Sequence, residues 1–249
     1  MNIGIILLIL FGFIIILFLI FSLPRKNSER KSSIEGIDDP NVAKAFEKMT
    51  NFFPFKILRR KIITQLKKYN LRGLVADIGC GSGNLIVQIA QNFKGLDLLG
   101  LDISKELLEL AKIRAIEKGV SDKIKFKIGN AENLPFLDNS IDYVISSLSL
   151  HHWIEPKKAL EELIRVLKKD GVLLIFDFRR DSRRFFYGLL TFATKLVVPK
   201  ALKHINEPLG SLKASYTREE VKEILSQINN LDVKIEPYLA WMFIIIRKE

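Results

Sequence analysis

Cysteine is nearly absent from this chain of 249 residues: Cys80 is the single thiol, and there are three histidines. One thiol excludes an internal disulfide framework and agrees with a reducing compartment. With so few imidazoles beside it, a Cys/His zinc cluster cannot be assembled, and no metal site is expected. Charge is absent from residues 1–24. All 39 basic and 28 acidic side chains fall in the remainder, which has the composition of a folded domain and not of a disordered chain. A Gly-Lys-Ser/Thr phosphate loop is also missing, which excludes that type of nucleotide-hydrolase site.

The uncharged stretch runs from Ile3 to Leu23 and is apolar except for Gly4, Gly12 and Ser22. As a helix it is about 31 Å long, the thickness of a hydrocarbon core. A cleaved signal peptide would carry a basic start, a shorter apolar run and a small-residue cleavage site. Here only Met1 and Asn2 precede the run, and bulky residues continue to its end. A helix apolar on every side suits lipid better than a protein core. Residues 3–23 are therefore expected to be a transmembrane anchor, residues 24–40 a polar linker with Gly36 and Pro40, and residues 41–249 one domain. Pro24-Arg25-Lys26 and Arg30-Lys31 follow the span, and basic residues beside a span favour the cytoplasm. The expected arrangement is single-pass, with the N-terminus outside and the domain cytoplasmic.

The net charge of +11 is unevenly placed. Residues 25–72 carry +8, residues 73–178 carry −2 and residues 179–249 carry +5. Anionic lipid headgroups and nucleic-acid phosphates are the two partners such basic regions attract, and solvated helix faces account for part of the charge. The neighbouring anchor favours headgroups over nucleic acid.

Within the domain, residues 41–70 read as two helices broken near Pro54. Ile57, Leu58, Ile62, Ile63 and Leu66 recur at helical spacing among Lys56, Arg59, Arg60, Lys61, Lys67 and Lys68. Such a basic amphipathic segment can lie on a membrane or cover the domain. Short apolar strands then alternate with helices. Strands are expected at residues 74–78, 96–101, 124–128, 141–147 and 172–178, with helices near 84–93, 105–118 and 157–167. Thr217-Arg218-Glu219-Glu220 is a capping-box sequence opening a helix to about Ile228. Two late strands, near 233–237 and 240–247, are close enough for a hairpin. The fold class is α/β: a Rossmann-like, doubly wound, mostly parallel seven-stranded sheet with an antiparallel edge hairpin.

The richest segment is Val75-Ala76-Asp77-Ile78-Gly79-Cys80-Gly81-Ser82-Gly83-Asn84. A strand ends and a helix begins across three glycines, which permit positive φ and close approach of a ligand. The second strand ends at Asp102, 19 residues after Gly83, where a carboxylate can hold both hydroxyls of a ribose. The spacing is G-x-G-x-G, not the G-x-G-x-x-G of dinucleotide sites. Asp77 would repel a pyrophosphate there and attract an ammonium or sulfonium. That contrast points away from NAD and toward S-adenosylmethionine.

VADIGCGSGNL, LGLDIS, GNAENLPF, SIDYVISSLSLHHW and RVLKKDGVLLIFDF, in this order, resemble the successive motifs of class I S-adenosylmethionine-dependent methyltransferases. The branch they resemble includes quinone-biosynthesis and other small-molecule enzymes. The resemblance covers residues 72–178 well and the late elements loosely. It implies that Asp77, Gly79, Gly81 and the backbone near Cys80 surround the methionine part of the cofactor, with Gly83 of the same turn also binding the cofactor. Asp102 would hold the ribose, Ile103 would pack on adenine, and Asn130, Ala131 and Glu132 would meet the adenine edge. The family usually has Asp where Asn130 stands. Ser147 would lie near the transferred methyl group.

His151 and His152 follow the fourth strand at the crevice, and either could act as general base, since imidazole titrates near neutral pH. The plainer reading is that they close the site or cap local structure. Arg179, Arg180, Arg183 and Arg184 precede an apolar run, Phe185 to Val198, too short and interrupted to span a bilayer. It could be a lid, a membrane-dipping helix with arginines at the headgroups, or a helix packed on the sheet. The Asn/Asp-Pro-Pro-aromatic sequence of many base-amino methylases is absent after strand four. The expected function is a membrane-anchored methyltransferase acting on a lipophilic or lipid-linked small molecule. The alternatives are a scaffold without turnover and a membrane-tethered RNA methyltransferase.

Overall fold

The computed structural model describes residues 2–25, 28–32, 37, 39–204 and 206–248, without the side chains of Phe21 and His204. Lys26 of the juxtamembrane basic cluster and Gly36 of the expected linker lie outside these residues. Helix α1 spans Ile3–Ser22 and is exposed along nearly its whole length. Among the described residues it is the helix long and apolar enough to cross a membrane.

Two helices precede the sheet. α2 covers Pro40–Thr50 and α3 covers Phe53–Leu66. Asp39 caps α2 by accepting from the backbone N–H groups of Asn41 (2.7 Å) and Val42 (3.4 Å), and Pro40 occupies the first turn, where its missing N–H costs nothing. Pro54 likewise sits inside the first turn of α3, so the break falls at Asn51–Phe52, just before it. Ile62, Ile63 and Leu66 are buried against the sheet, while Lys56, Arg60, Lys61, Lys67 and Lys68 face solvent. Of the two roles open to this amphipathic segment, it takes that of covering the domain.

The strands are β1 Gly73–Ile78, β2 Leu96–Asp102, β3 Ile124–Ile128, β4 Ile141–Ser147, β5 Leu167–Phe178, β6 Leu231–Pro237 and β7 Trp241–Lys248. They form one sheet in the order β3-β2-β1-β4-β5-β7-β6. β1 to β5 are parallel; β7 pairs antiparallel with both β5 and β6, making the edge hairpin. Helices α4 (Asn84–Asn92), α5 (Lys105–Glu117) and α6 (Pro156–Val166) provide the crossovers. Side chains alternate across β5: Leu173 and Ile175 face the layer of α6, while Val172, Leu174 and Phe176 face that of α3 and α4. Both faces are thus covered, as a mostly parallel sheet requires.

After β5 come α7 (Arg184–Phe192), a π-turn at Ala193–Val197, α8 (Lys200–His204), α9 (Leu209–Ala214) and α10 (Arg218–Leu225). The capping box of α10 is present, with Thr217 and Glu220 bonded reciprocally. The helix ends at Leu225, short of the expected Ile228. β5 starts at Leu167, earlier than the expected 172, because its first residues pair with Ile141 before a bulge.

The structure adds detail at two places that the sequence left open. The described part of residues 24–40 does not hang free but is laid on the domain. Arg180 Nε donates to the Ser28 carbonyl (2.6 Å), the Lys31 N–H to the Lys213 carbonyl (3.1 Å), and Arg30 stacks on Tyr216. Arg179 and Arg180 do not reach headgroups either. Both are buried, paired with Asp181 and Glu220 respectively, because a guanidinium withdrawn from water must be matched by a carboxylate.

Gly83 marks the tight joint between β1 and α4. It has φ +73°, and a Cβ there would lie 2.9 Å from the Cβ of Ala111 on α5. Gly83→Ala should therefore destabilise the protein by more than about 1 kcal/mol, seen as a lower midpoint in thermal or urea unfolding.

Candidate active site

β1 lies at the point where the strand order reverses, between β2 and β4. In open α/β sheets the crevice at the carboxyl ends of the strands beside this point receives ligands. A cavity of about 420 Å³ opens there. Gly79, Cys80, Gly81, Asp102, Ile103, Asn130, Ala131, Ser147 and His152 all line it. Residues as far apart as Gly79 and His152, 73 positions along the chain, are brought together because parallel strands deliver their carboxyl ends to one edge.

The three glycines of the turn differ in what they allow. A Cβ on Gly79 would fall 1.9 Å from Ser149 Oγ, so this position is closed by packing. At Gly81, also at positive φ, a Cβ would meet nothing within 4 Å. That is the place where a ligand can approach the backbone. Gly83 packs on α5 and is not part of the cavity wall.

Asp77 sits below this turn, 1% exposed, and neither of its carboxylate oxygens has a hydrogen-bond partner. Burial, and second the negative charge of Asp102, push its carboxyl up to about 7. An ionised, unpaired carboxylate in such surroundings calls for a cation. Asp102 is differently held. Its Oδ2 accepts from the Gly81 N–H (2.7 Å) and its Oδ1 from the Ser104 N–H (2.9 Å). Burial raises its pKa, against the opposing pull of these N–H groups. Burial also pushes the Cys80 thiol well up, so it is a poor nucleophile.

The structure does not bring four of the expected residues to the cavity wall. Asp77 is beneath it and Gly83 behind it. Glu132 turns away, its Oε1 accepting from the Glu155 N–H (2.8 Å). His151 is 1% exposed and locked behind the crevice, with Nδ1 2.7 Å from Asp177 Oδ1. Other wall residues were not foreseen. Val42, Phe46, Phe55, Leu58, Arg59 and Ile62 come from α2 and α3, Ser149 from the turn after β4, and Glu207 from between α8 and α9. The helical pattern of residues 41–66 was visible in the sequence, but nothing local says which face meets a ligand. Among the described residues, Arg59 is the lysine or arginine of this wall: its Nη1 donates to the Thr50 carbonyl (2.6 Å), its Nε has no partner, and burial followed by repulsion from Arg114 lowers it to about 10.

Residues 76–175 match the family model described as a methyltransferase domain. The chain is 29% identical over 187 residues to the ubiquinone/menaquinone biosynthesis C-methyltransferase of Rickettsia bellii, covering 72% of this chain and 74% of that protein. It is 26% identical over 216 residues to the demethylmenaquinone methyltransferase of Bacteroides fragilis, covering 82% and 87%. The chain is a class I S-adenosylmethionine-dependent methyltransferase. Its fold matches that of a putative S-adenosylmethionine-dependent methyltransferase from Methanococcus maripaludis, with a TM-score of 0.64 at 24% identity over 90% of this chain and 97% of the other. The cofactor of this methyltransferase is S-adenosylmethionine, and the site suits it. An orphaned carboxylate lies beneath the turn, open space stands over Gly81, and a carboxylate closes β2. These fit a molecule with an ammonium, a sulfonium and a ribose.

The raised Asp77 carboxyl is expected to give cofactor binding a pH dependence. In the unfolded chain the group titrates near 3.9, roughly, so the folded protein holds an extra proton between that value and about 7. Stability of the ligand-free form therefore falls as pH rises through this window. A cationic ligand needs the ionised carboxylate, so affinity for S-adenosylmethionine should weaken toward about tenfold per unit as pH drops below 7. Calorimetry on the full chain in detergent measures this, and Asp77→Asn should weaken binding and flatten the profile.

Proposed function

We propose that the protein is a single-pass membrane methyltransferase that methylates a ring carbon of a lipophilic reduced quinone, with its catalytic domain in the cytoplasm. The observation that carries this reading is the joining of a cofactor cavity, half walled by apolar side chains, to the foot of an apolar helix. Phe46, Phe55, Leu58, Leu148 and Phe176 form the apolar wall. Arg183 Nη1 donates to the Leu23 carbonyl (2.8 Å), the Arg184 N–H to the Pro24 carbonyl (3.0 Å), and Arg25 Nη1 to the Asp181 carbonyl (3.1 Å). The end of α1 is thereby stitched to the start of α7.

The segment after β5 has two sides. Val198 and Leu202 are buried against Ala45 and Met49 of α2, whose Val42 and Phe46 line the cavity. Leu189, Phe192, Leu196 and Val197 are exposed. Beside a membrane anchor, an exposed apolar face of this kind dips into the headgroup boundary, with Arg184 and Lys195 nearby in sequence to meet anionic headgroups. An acceptor with a long apolar tail could then pass from the bilayer to the cavity without crossing water. The names of the Rickettsia and Bacteroides relatives support a quinone as that acceptor.

In the site, Asp77 would compensate the cationic methionine end and Arg59 its carboxylate, while Asp102 would hold the ribose hydroxyls. Ile103 would pack on adenine beside Ala131 and Gly129. Asn130 Oδ1 already accepts from the Glu132 N–H (2.8 Å), which leaves the amide NH2 to donate to a ring nitrogen. Glu132 and Gly83 would act through the turn and helix that they shape. Ser147, at the end of β4, would border the transferred group, with His152 beyond it. When bound, the cofactor supplies a methyl group activated by positive sulfur; the chain's part is to align it with the acceptor and keep water out.

Full-length protein in nanodiscs, given methyl-labelled cofactor and a membrane extract, should place the label in the quinone fraction. Label in RNA, or in no fraction, would refute the acceptor class. Asp102→Ala should abolish cofactor binding. Phe192→Ser with Leu196→Ser should slow turnover of a long-tailed acceptor in bilayers severalfold, yet spare a water-soluble, tail-free analogue. Equal loss on both would mean that this face only packs.

A further inference from the structure

We propose that Glu207 is the proton acceptor of the methylation, with the Asp177–His151 pair behind it as the group that positions its charge; this rests on the reduced quinone as acceptor. Glu207 lies between α8 and α9, 3% exposed, and lines the same cavity as the glycine turn, Ser147 and His152. Among the described residues it makes no ion pair with lysine or arginine. Its Oε2 accepts a hydrogen bond from Ser211 Oγ. A carboxylate withdrawn from water with so little compensation is expensive unless it has a task. Burial raises its pKa, opposed by Ser211 and by the nearby His151, so it takes up a proton closer to neutral pH than an ordinary glutamate.

His151 is fixed from two sides. Its backbone N–H donates to Asp177 Oδ2 (3.0 Å), and its Nδ1 lies 2.7 Å from Asp177 Oδ1. Asp177 as acceptor holds the proton on Nδ1, so the lone pair is on Nε2, which is buried without a partner. The ring is therefore held close to Glu207, its orientation set by Asp177 at the end of β5. Among the described residues, the other charged or titratable groups lining the cavity with Glu207 are His152 from the turn after β4, Asp39 before α2, and Arg59, Asp102 and Cys80. Arg30 approaches from residues 28–32, but its guanidinium is engaged by the Ala214 (2.6 Å) and His151 (3.1 Å) carbonyls.

The chemistry requires such a group. As the ring carbon of a hydroquinone bonds to the methyl group, the carbon–sulfur bond breaks and its electron pair stays on sulfur. The ring is left with one proton too many, on the methylated carbon or the neighbouring hydroxyl. The Glu207 carboxylate takes that proton, the ring regains aromaticity, and the carboxyl returns the proton to water when product leaves.

The test uses the full chain in nanodiscs with a demethylated menaquinol carrying a short prenyl tail. The wild-type kcat should fall as pH drops through the raised carboxyl pKa. Glu207→Gln should lower kcat by about 10²–10⁴-fold, remove that acid limb, and leave cofactor affinity within about twofold. Glu207→Asp should restore part of the rate. Ser211→Ala, which removes the hydroxyl donor, should move the limb to higher pH, and it decides the matter should Glu207→Gln fail to fold. Infrared titration of the quinol-free protein should show a carboxyl band above the ordinary glutamate range that disappears in Glu207→Gln. A Glu207→Gln enzyme with wild-type rate and pH profile, or the absence of that band, overturns the proposal. A wild-type protein that binds cofactor but leaves the quinol unmethylated refutes the acceptor reading instead, and the infrared band then judges Glu207 alone.

Discussion

A carboxylate sealed under a glycine turn, with nothing to bond to, governs how the site is built. Asp77 is held at the end of β1 by parallel partners on both sides, paired in register with Gly100 and Ile145. The strand cannot move it toward water, and neither oxygen finds a donor. Its charge is therefore tolerable only when a cation lies close by, and the turn above leaves Gly81 open for one to approach. Asp102, by contrast, is stabilised by two backbone N–H groups and stays available to hydroxyls on its outer side. Two acidic residues around one turn thus differ in what they can bind because their surroundings differ.

A second constraint joins the cavity to the apolar N-terminal helix. Arg183, Arg184 and Arg25 exchange hydrogen bonds between the foot of α1 and the start of α7, and Arg180 and Lys31 hold the segment after it to the domain. These contacts use guanidinium and backbone groups that a flexible tether would leave in water. The roof of the cavity follows from the same arrangement. α2 packs its Ala45 and Met49 on Val198 and Leu202, so the helices over the site and the exposed apolar face of α7 form one body.

Much of this was legible in the chain. The short apolar strands alternating with helices, the glycine turn and the capping box at Thr217 are local patterns, and local patterns survive into the fold. The four arginines from Arg179 to Arg184 were not legible in the same way. Two are buried in ion pairs, Arg183 turns its guanidinium to the foot of α1 and the side chain of Arg184 is exposed, and only the partners Asp181, Glu220 and Leu23 distinguish them. His151 and His152 are adjacent in sequence, yet one is locked to Asp177 and the other lines the cavity. Glu207 carried no signal at all, since a lone glutamate between short helices looks like any solvated residue.

The sequence by itself determined the parallel sheet, the glycine turn with its acidic neighbours and the apolar leader. Each depends on residues close together along the chain, through side-chain periodicity, positive φ or unbroken hydrophobic length. Tertiary structure alone decided which side chains from α2, α3 and the α8–α9 connection complete the cavity, and which charges are buried. Those outcomes depend on long-range packing, where a side chain's exposure and its partner come from elements far away in the chain.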